Sequence, residues 1–211
     1  MIDANSGVVT QVNKLPKLKR TCARLLLSVL CLAPITHIGA AASEPHLLII
    51  PETCSYLTED LGLALMSVAK SKISHANFHM PNFWSQCIHS GHGVVRRKVS
   101  FIFKFMVWDM FDVDNLAREQ LEFNAHFASG ALPLVARLDS PGKATMVFEK
   151  EDHSVVMLLT GIRGPHDGAG RDSMLVATYS LTNSALDHAQ RTARLLDLAT
   201  QHYAEWLAAA S

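Results

Sequence analysis

Residues 98–107, with the sequence KVSFIFKFMV, carry the clearest strand pattern in the chain. The odd-numbered positions from Val99 to Val107 are all apolar, whereas the even-numbered positions mix lysine, serine, isoleucine and methionine. An alternation of period two places the two sets of side chains on opposite faces of a β-strand. The pattern therefore predicts a strand that buries one face fully in a hydrophobic core.

Shorter apolar stretches on both sides of this strand predict further strands. Downstream, Ser140–Pro141–Gly142 and the polar residues 149–154 have the composition of turns. The additional predicted strands cover residues 46–50, 132–138, 144–148, 155–160 and 173–181. Because short connections join the later strands, we expect them to pair in an antiparallel manner.

Helical patterns occur in three parts of the chain. Thr58 provides an N-cap oxygen ahead of Glu59 and Asp60, which predicts a helix that begins there. A weaker pattern predicts a second helix within residues 112–130. Ser184 and Asp187 resemble a capping box and predict the start of a long C-terminal helix. The expected apolar stripe of this last helix contains Ala185, Ala189, Thr192, Leu195, Leu196, Ala199, Tyr203 and Trp206, with Arg191 outside it.

The order of these elements predicts the fold class. We expect an α+β fold in which an antiparallel sheet of about four to five strands is covered by a long C-terminal helix and one or two shorter helices. Residues 75–93 lack a clean period and contain Pro81, Gly91 and Gly93, so we expect an ordered loop there.

The first 42 residues have the composition of a secretory signal peptide. Residues 14–24 contain five basic residues and no acidic residue, and an apolar run follows them up to Ala42. The small residues Ala40–Ala42 fit the pattern that a signal peptidase recognises. We therefore expect a signal peptide at residues 1–42 and a single α+β domain at residues 43–211. An uncleaved membrane anchor is the alternative, although polar residues interrupt the apolar run.

Composition and charge exclude several classes of protein. The 211 residues are 49% apolar and 18% charged, which rules out an intrinsically disordered chain. Five of the 19 basic but one of the 19 acidic residues fall in residues 1–42, which leaves 14 basic and 18 acidic residues and a net charge of −4. Such a domain has no electrostatic reason to bind nucleic acid or, after cleavage of the signal peptide, a membrane.

The cysteines also fit export to the periplasm or the cell exterior. Cys22 and Cys31 lie in the predicted signal peptide, so Cys54 and Cys87 are the cysteines of the exported domain. In an oxidising compartment two such thiols tend to pair. A Cys54–Cys87 disulfide closes a loop of about 34 residues and is worth roughly 4 kcal/mol in the chain-entropy model. The alternative is two unpaired thiols, one of them buried.

Five side chains of metal-ligand type fall close together in the chain. They are His75, His79, Cys87, His89 and His92. Imidazole nitrogens bind zinc and copper, so the four histidines predict a metal site. Two observations oppose this prediction. Cys87 is expected to form the disulfide, and the spacing of the histidines matches no closed structural zinc site. A polar surface loop explains the same residues.

No catalytic motif in the sequence is specific. The nucleophile elbow G-x-S-x-G is absent, and residues 89–93 imitate it only loosely. We therefore expect a non-enzymatic exported protein without a cofactor, which binds another protein of the cell envelope or a small ligand. One alternative is a metal-binding protein or metal-dependent enzyme that uses residues 75–92. The other is a membrane-anchored component of a secretion or envelope assembly.

Overall fold

The computed structural model describes residues 45–69, 72–107, 132–166 and 171–210. These residues form the predicted α+β fold, with one antiparallel sheet and three helices. The strands are β1 (Ile73–Met80), β2 (Trp84–Gly91), β3 (Arg97–Val107), β4 (Leu134–Leu138), β5 (Ala144–Lys150), β6 (His153–Gly164) and β7 (Ser173–Thr182). The helices are α1 (Thr53–Tyr56), α2 (Glu59–Met66) and α3 (His188–Ala210). The helix predicted within residues 112–130 lies outside the described residues.

The strands follow the order β1-β2-β3-β7-β6-β5-β4, and each neighbouring pair is antiparallel. The prediction of about four to five strands is wrong, because the sheet of the described residues has seven. The additional strands are β1 and β2, which occupy most of the segment where the sequence predicts a loop. Residues 46–50 do not form a strand, and His46 makes only an isolated bridge to Arg163.

Polar residues hide the alternation of β1 and β2 in the sequence. In β2, Ser85, Cys87 and His89 point to the buried side, and the positions between them are half-buried. In β1, nearly every side chain is exposed. A period-two pattern is recognised by its contrast between apolar and polar positions, so a strand with polar residues on both faces gives little signal.

The core lies on both faces of the central strands. Val99, Phe101, Phe103 and Phe105 of β3 are buried on the side that faces the helices, as the alternation predicts. Helix α3 packs on β6 and β7, and α2 packs on β2 and β3. A second apolar cluster, centred on β5, β6 and β7, occupies the opposite face of the sheet. Burial on both faces explains why these three strands are almost continuously apolar.

The capping prediction is confirmed for α2 and corrected for α3. The Thr58 hydroxyl accepts a hydrogen bond from the Leu61 amide at 3.3 Å. At α3, the Gln190 amide donates to Asp187 Oδ1 at 2.8 Å, and the Asp187 amide donates to Gln190 Oε1 at 3.2 Å. The capping box is therefore Asp187 with Gln190, one turn later than predicted. Ser184 instead donates to the Leu65 carbonyl at 2.9 Å.

The buried face of α3 contains two polar residues, Arg191 and His202, that are not part of the apolar stripe predicted from the sequence. Leu195, Ala199 and Trp206 are buried as predicted. Arg191 is also buried, and its guanidinium donates to Ser154 Oγ and to three backbone carbonyls at the start of α3 and in the β5–β6 turn. Its charge is thus stabilised by hydrogen bonds in place of water. His202 is the second buried polar residue of this face.

The predicted Cys54–Cys87 disulfide is confirmed, and the two Cα atoms lie 5.1 Å apart. It connects α1 to β2. Beside it, Thr53 Oγ1 and Ser85 Oγ form a buried hydrogen bond of 3.0 Å between the same two elements. The short helix α1 is therefore attached to the hairpin covalently as well as by packing.

Candidate binding site at the β1–β2 hairpin

The β1–β2 hairpin forms one edge of the sheet. Its register places His75 opposite His89, Asn77 opposite Cys87 and His79 opposite Ser85. Directly opposite residues of antiparallel strands share a face. His75, Asn77 and His79 therefore lie on the side of the helices, and Phe78 and Met80 lie on the other side.

Strand β1 is an edge strand without formal charge. Residues 73–95 contain no Asp, Glu, Lys or Arg. Most β1 side chains are exposed, and the strand has no proline within it and no bulge against β2. Natural proteins usually protect an exposed edge with lysine, proline or a bulge, because its unpaired backbone groups otherwise bind other strands. This edge lacks those protections.

Exposed apolar side chains surround the turn of the hairpin. Phe78, Met80 and Phe83 are 43%, 47% and 60% exposed, respectively. The ring of Phe78 lies 4.5 Å from that of Trp84, measured between centroids. The Ile50 amide donates to the Pro81 carbonyl at 2.6 Å. This hydrogen bond brings the segment that contains the exposed residues Leu48 and Ile49 to the turn of the hairpin. We call Leu48, Ile49, Phe78, Met80 and Phe83 the apolar patch.

A cleft of about 390 Å³ lies on the other side of β1, beside the disulfide. It is lined by Cys54, Leu57, Glu59, Ile73, His75, Asn77 and His89. No lysine or arginine is among these residues, and the Asn77 side chain donates to Glu52 Oε1 at 3.3 Å. The cleft therefore has the polar side chains of His75 and Asn77 on its β1 side and Glu59 on its helical side.

A second cleft, of about 420 Å³, lies between α2 and α3. Its lining combines apolar side chains of both helices with Gln190, Arg194 and Asp197. This cleft lies between the two helices, and it contains neither a histidine nor a cysteine among its lining residues.

The structure brings together two of the four histidines in the predicted metal site. The imidazole centroids of His75 and His89 lie 6.2 Å apart across the two strands. His79 lies four residues further along β1, and His92 follows β2 and bonds to Ser74 Oγ at 2.9 Å. Cys87 is part of the disulfide. Within the described residues, no group of three or more His, Cys, Asp or Glu has a metal-binding arrangement. The four-histidine metal site stays a prediction.

His89 is held rigidly. Its Nε2 lies 3.0 Å from the Leu57 carbonyl, and its side chain is 5% exposed. The ring packs against Gly62, where an added Cβ would come within 2.8 Å of His89 Cδ2. Nδ1 is buried and has no hydrogen-bond partner in the part of the chain that the structure describes.

Histidine–serine hydrogen bonds occur at two other places. His153 Nε2 lies 2.8 Å from Ser180 Oγ, and burial lowers the pKa of His153 to about 4. The pair His92–Ser74 lies at the end of the hairpin. None of these four residues lines either cleft. A nucleophile and its base need a substrate beside them, and neither of these two clefts places one beside either pair.

Sequence reasoning missed a buried aromatic and histidine cluster under α3. Tyr179 Oη lies 3.2 Å from His202 Nδ1, and both side chains are buried. Burial lowers the pKa of His202 to about 4 and raises the pKa of Tyr179 well above its ordinary value. The rings of Tyr56, Phe103 and Trp206 surround them. The cluster is therefore part of the core.

Among the described residues, no helix is both long and apolar enough to cross a membrane. No family model, curated protein or solved structure matches this chain. The function is therefore inferred from the geometry of the chain itself.

Proposed function

We propose that this chain is an exported, non-enzymatic binding protein of the periplasm or cell exterior, and that β1 binds an extended segment of another envelope protein. One observation supports this proposal above all others. An exposed eight-residue edge strand carries no formal charge and adjoins an apolar patch. Edges of this kind add a strand from a partner, in which main-chain hydrogen bonds provide affinity and alternate side chains provide specificity.

The proposed partner segment is extended and uncharged. Its backbone pairs with the outer edge of β1. Its side chains on one face contact Phe78 and Met80, and those on the other face meet His75 and His79. A segment with formal charges is disfavoured, because residues 73–95 provide no opposite charge to compensate its desolvation.

Export is proposed from the N-terminal composition and supported by the disulfide. Residues 14–42 have the order of basic, apolar and small residues that a secretory signal needs. The disulfide joins the two cysteines that follow Ala42. Disulfides persist in oxidising compartments and are rare in the cytosol. Residues 1–42 themselves lie outside the described part.

Export is tested by the N-terminus of the native protein. We expect mass spectrometry of the protein from the envelope or medium to find a chain that begins near Ser43. A chain with an intact N-terminus in the membrane fraction would support the anchored alternative. A full-length chain in the cytosol would contradict export.

The binding proposal is tested by site-specific photo-cross-linking in the native cell. A photoreactive residue replaces Ala76, which is exposed on β1, and the matched control carries it at Ala204, which is exposed on α3. We expect one cross-linked protein from position 76 only, with the cross-link in an uncharged extended segment. The purified partner should then bind the purified chain.

A pair of charge variants identifies the surface. Phe78→Lys places a charge on the edge strand, and Val94→Lys places the same charge on a fully exposed side chain outside it. We expect Phe78→Lys to abolish the cross-link and Val94→Lys to retain it. Equal cross-linking from position 204, or a cross-link that survives Phe78→Lys, would contradict the proposal.

A further inference from the structure

We infer that His75 and His89 form a two-histidine site for a divalent transition-metal ion, Cu²⁺ in preference to Zn²⁺, at the cleft beside the disulfide. His75 also lies on the face of β1 that is proposed to contact the partner segment, but metal binding at His75 and His89 does not require that partner. It is narrower than the site predicted from sequence, because it excludes His79 and His92.

The contact between His89 and Leu57 determines the tautomer of His89. A carbonyl oxygen only accepts hydrogen bonds, so the Nε2 atom that lies 3.0 Å from it carries the proton. The lone pair of the neutral ring is then on Nδ1. This atom is buried and has no partner in the described residues. Metal-binding histidines commonly donate their other N–H to a backbone carbonyl, which orients the ring and raises its basicity.

The register supplies the second imidazole. His75 lies directly opposite His89, with ring centroids 6.2 Å apart. Two imidazoles that share one ion through bonds of about 2.1 Å have centroids roughly 5 Å apart. Because His75 is exposed, a rotation of its side chain covers the difference. His79 lies roughly 13 Å along the strand, at about 3.3 Å per residue, and is too distant to share the ion.

The charge of the cleft suits a cation. The Glu59 side chain lines the cleft, and Glu52 accepts a hydrogen bond from Asn77 at its rim. No lysine or arginine is among the described residues that line the cleft. Imidazole ligands bind Cu²⁺ more strongly than Zn²⁺, as the order of first-row divalent ions requires. Two protein nitrogens leave the remaining coordination positions open to water or an external ligand.

Titration calorimetry tests this site on the full chain with its disulfide intact and without an affinity tag. We expect one equivalent of Cu²⁺ or Zn²⁺ per chain, with tighter binding of Cu²⁺. His75→Ala should weaken binding at least tenfold. His79→Ala, on the same strand and face, and His92→Ala should leave the affinity unchanged. Circular dichroism checks that each variant is folded.

A second measurement on the unaltered protein needs no variant. In ¹⁵N NMR of the histidine rings, Zn²⁺ should shift Nδ1 of His89, while Nε2 keeps its proton. The absence of stoichiometric binding would overturn the proposal. Equal losses in the His75 and His79 variants, or coordination through Nε2 of His89, would do the same.

Discussion

The centre of the sheet and its β1–β2 edge are stabilised in different ways. Strands β6 and β7 bury both faces, β3 buries the face toward the helices, and α3 covers that face with Trp206 and Leu195. The β1–β2 hairpin buries mainly small or polar side chains and exposes β1 almost completely. It is connected to the rest by its pairing with β3 and by the disulfide. The composition of β1 is therefore not constrained by a hydrophobic core, and we propose that partner binding explains its uncharged, partly aromatic surface.

The largest expected effect on stability is at the helix-covered centre of the sheet. Trp206 is 2% exposed and contacts Tyr56 and Phe103 through edge-to-face ring packing. We expect Trp206→Ala to lower the free energy of unfolding by about 3–5 kcal/mol in urea titrations. Phe83→Ala, at the exposed tip of the hairpin, should cost below about 1 kcal/mol. Similar losses for the two variants would remove the contrast between the centre of the sheet and the β1–β2 edge.

Removal of the disulfide should affect the hairpin more than the core. Replacement of both Cys54 and Cys87 by alanine is expected to cost roughly 3 kcal/mol, because the unfolded chain regains the entropy of an open loop. Hydrogen exchange should accelerate most in β1 and β2, and least in β6 and β7. A uniform acceleration would show that the disulfide stabilises the centre of the sheet as much as the β1–β2 edge.

Acid should destabilise the centre of the sheet through His202, which is buried under α3, and His153, which is half-buried on the opposite face. Burial lowers the pKa values of His202 and His153 to about 4, below the ordinary value of 6.5. The unfolded chain therefore binds more protons between these pH values, and stability falls as the pH drops from 6.5 to 4. We expect a loss of about 2 kcal/mol for each group. His202→Gln should remove about half of this pH dependence in chemical unfolding at pH 7 and pH 4.5. An unchanged pH dependence would contradict the assignment.

The smallest effect on stability, with the largest effect on binding, is expected at the edge strand. Phe78 is partly exposed, so Phe78→Lys should change the unfolding free energy by at most about 0.5 kcal/mol. The same substitution should abolish partner binding, because a lysine on an edge strand prevents strand addition. A thermal-melting shift as large as that of Trp206→Ala would instead place Phe78 in the core.

The sequence predicts the parts of the fold in which apolar and polar residues contrast. The alternation of β3, the Thr58 cap and the Cys54–Cys87 disulfide follow from local chemistry, and all three are confirmed. The strands of the hairpin could not be predicted in the same way. Their side chains are polar on the buried face and exposed on β1, so no hydrophobic period marks them.

Two other predictions, the cap of α3 and the position of Arg191 outside its buried face, are wrong because of tertiary contacts. Ser184 is a good capping residue, but its hydroxyl bonds to the Leu65 carbonyl of α2, and Asp187 caps the helix instead. Arg191 is buried because carbonyls of the β5–β6 turn accept from it, which no local pattern reveals. The charge-free run of residues 73–95 was visible in the sequence, but it becomes informative only once β1 is known to be an edge strand.

Hydrogen exchange across the whole chain, measured with and without the cross-linked partner, tests the central claim most directly. The outer amides of β1 should gain protection on binding, since they become paired with the partner strand. The amides of α3 should not change. A gain of protection at another surface, with β1 unchanged, would contradict the proposal that this edge is the binding site.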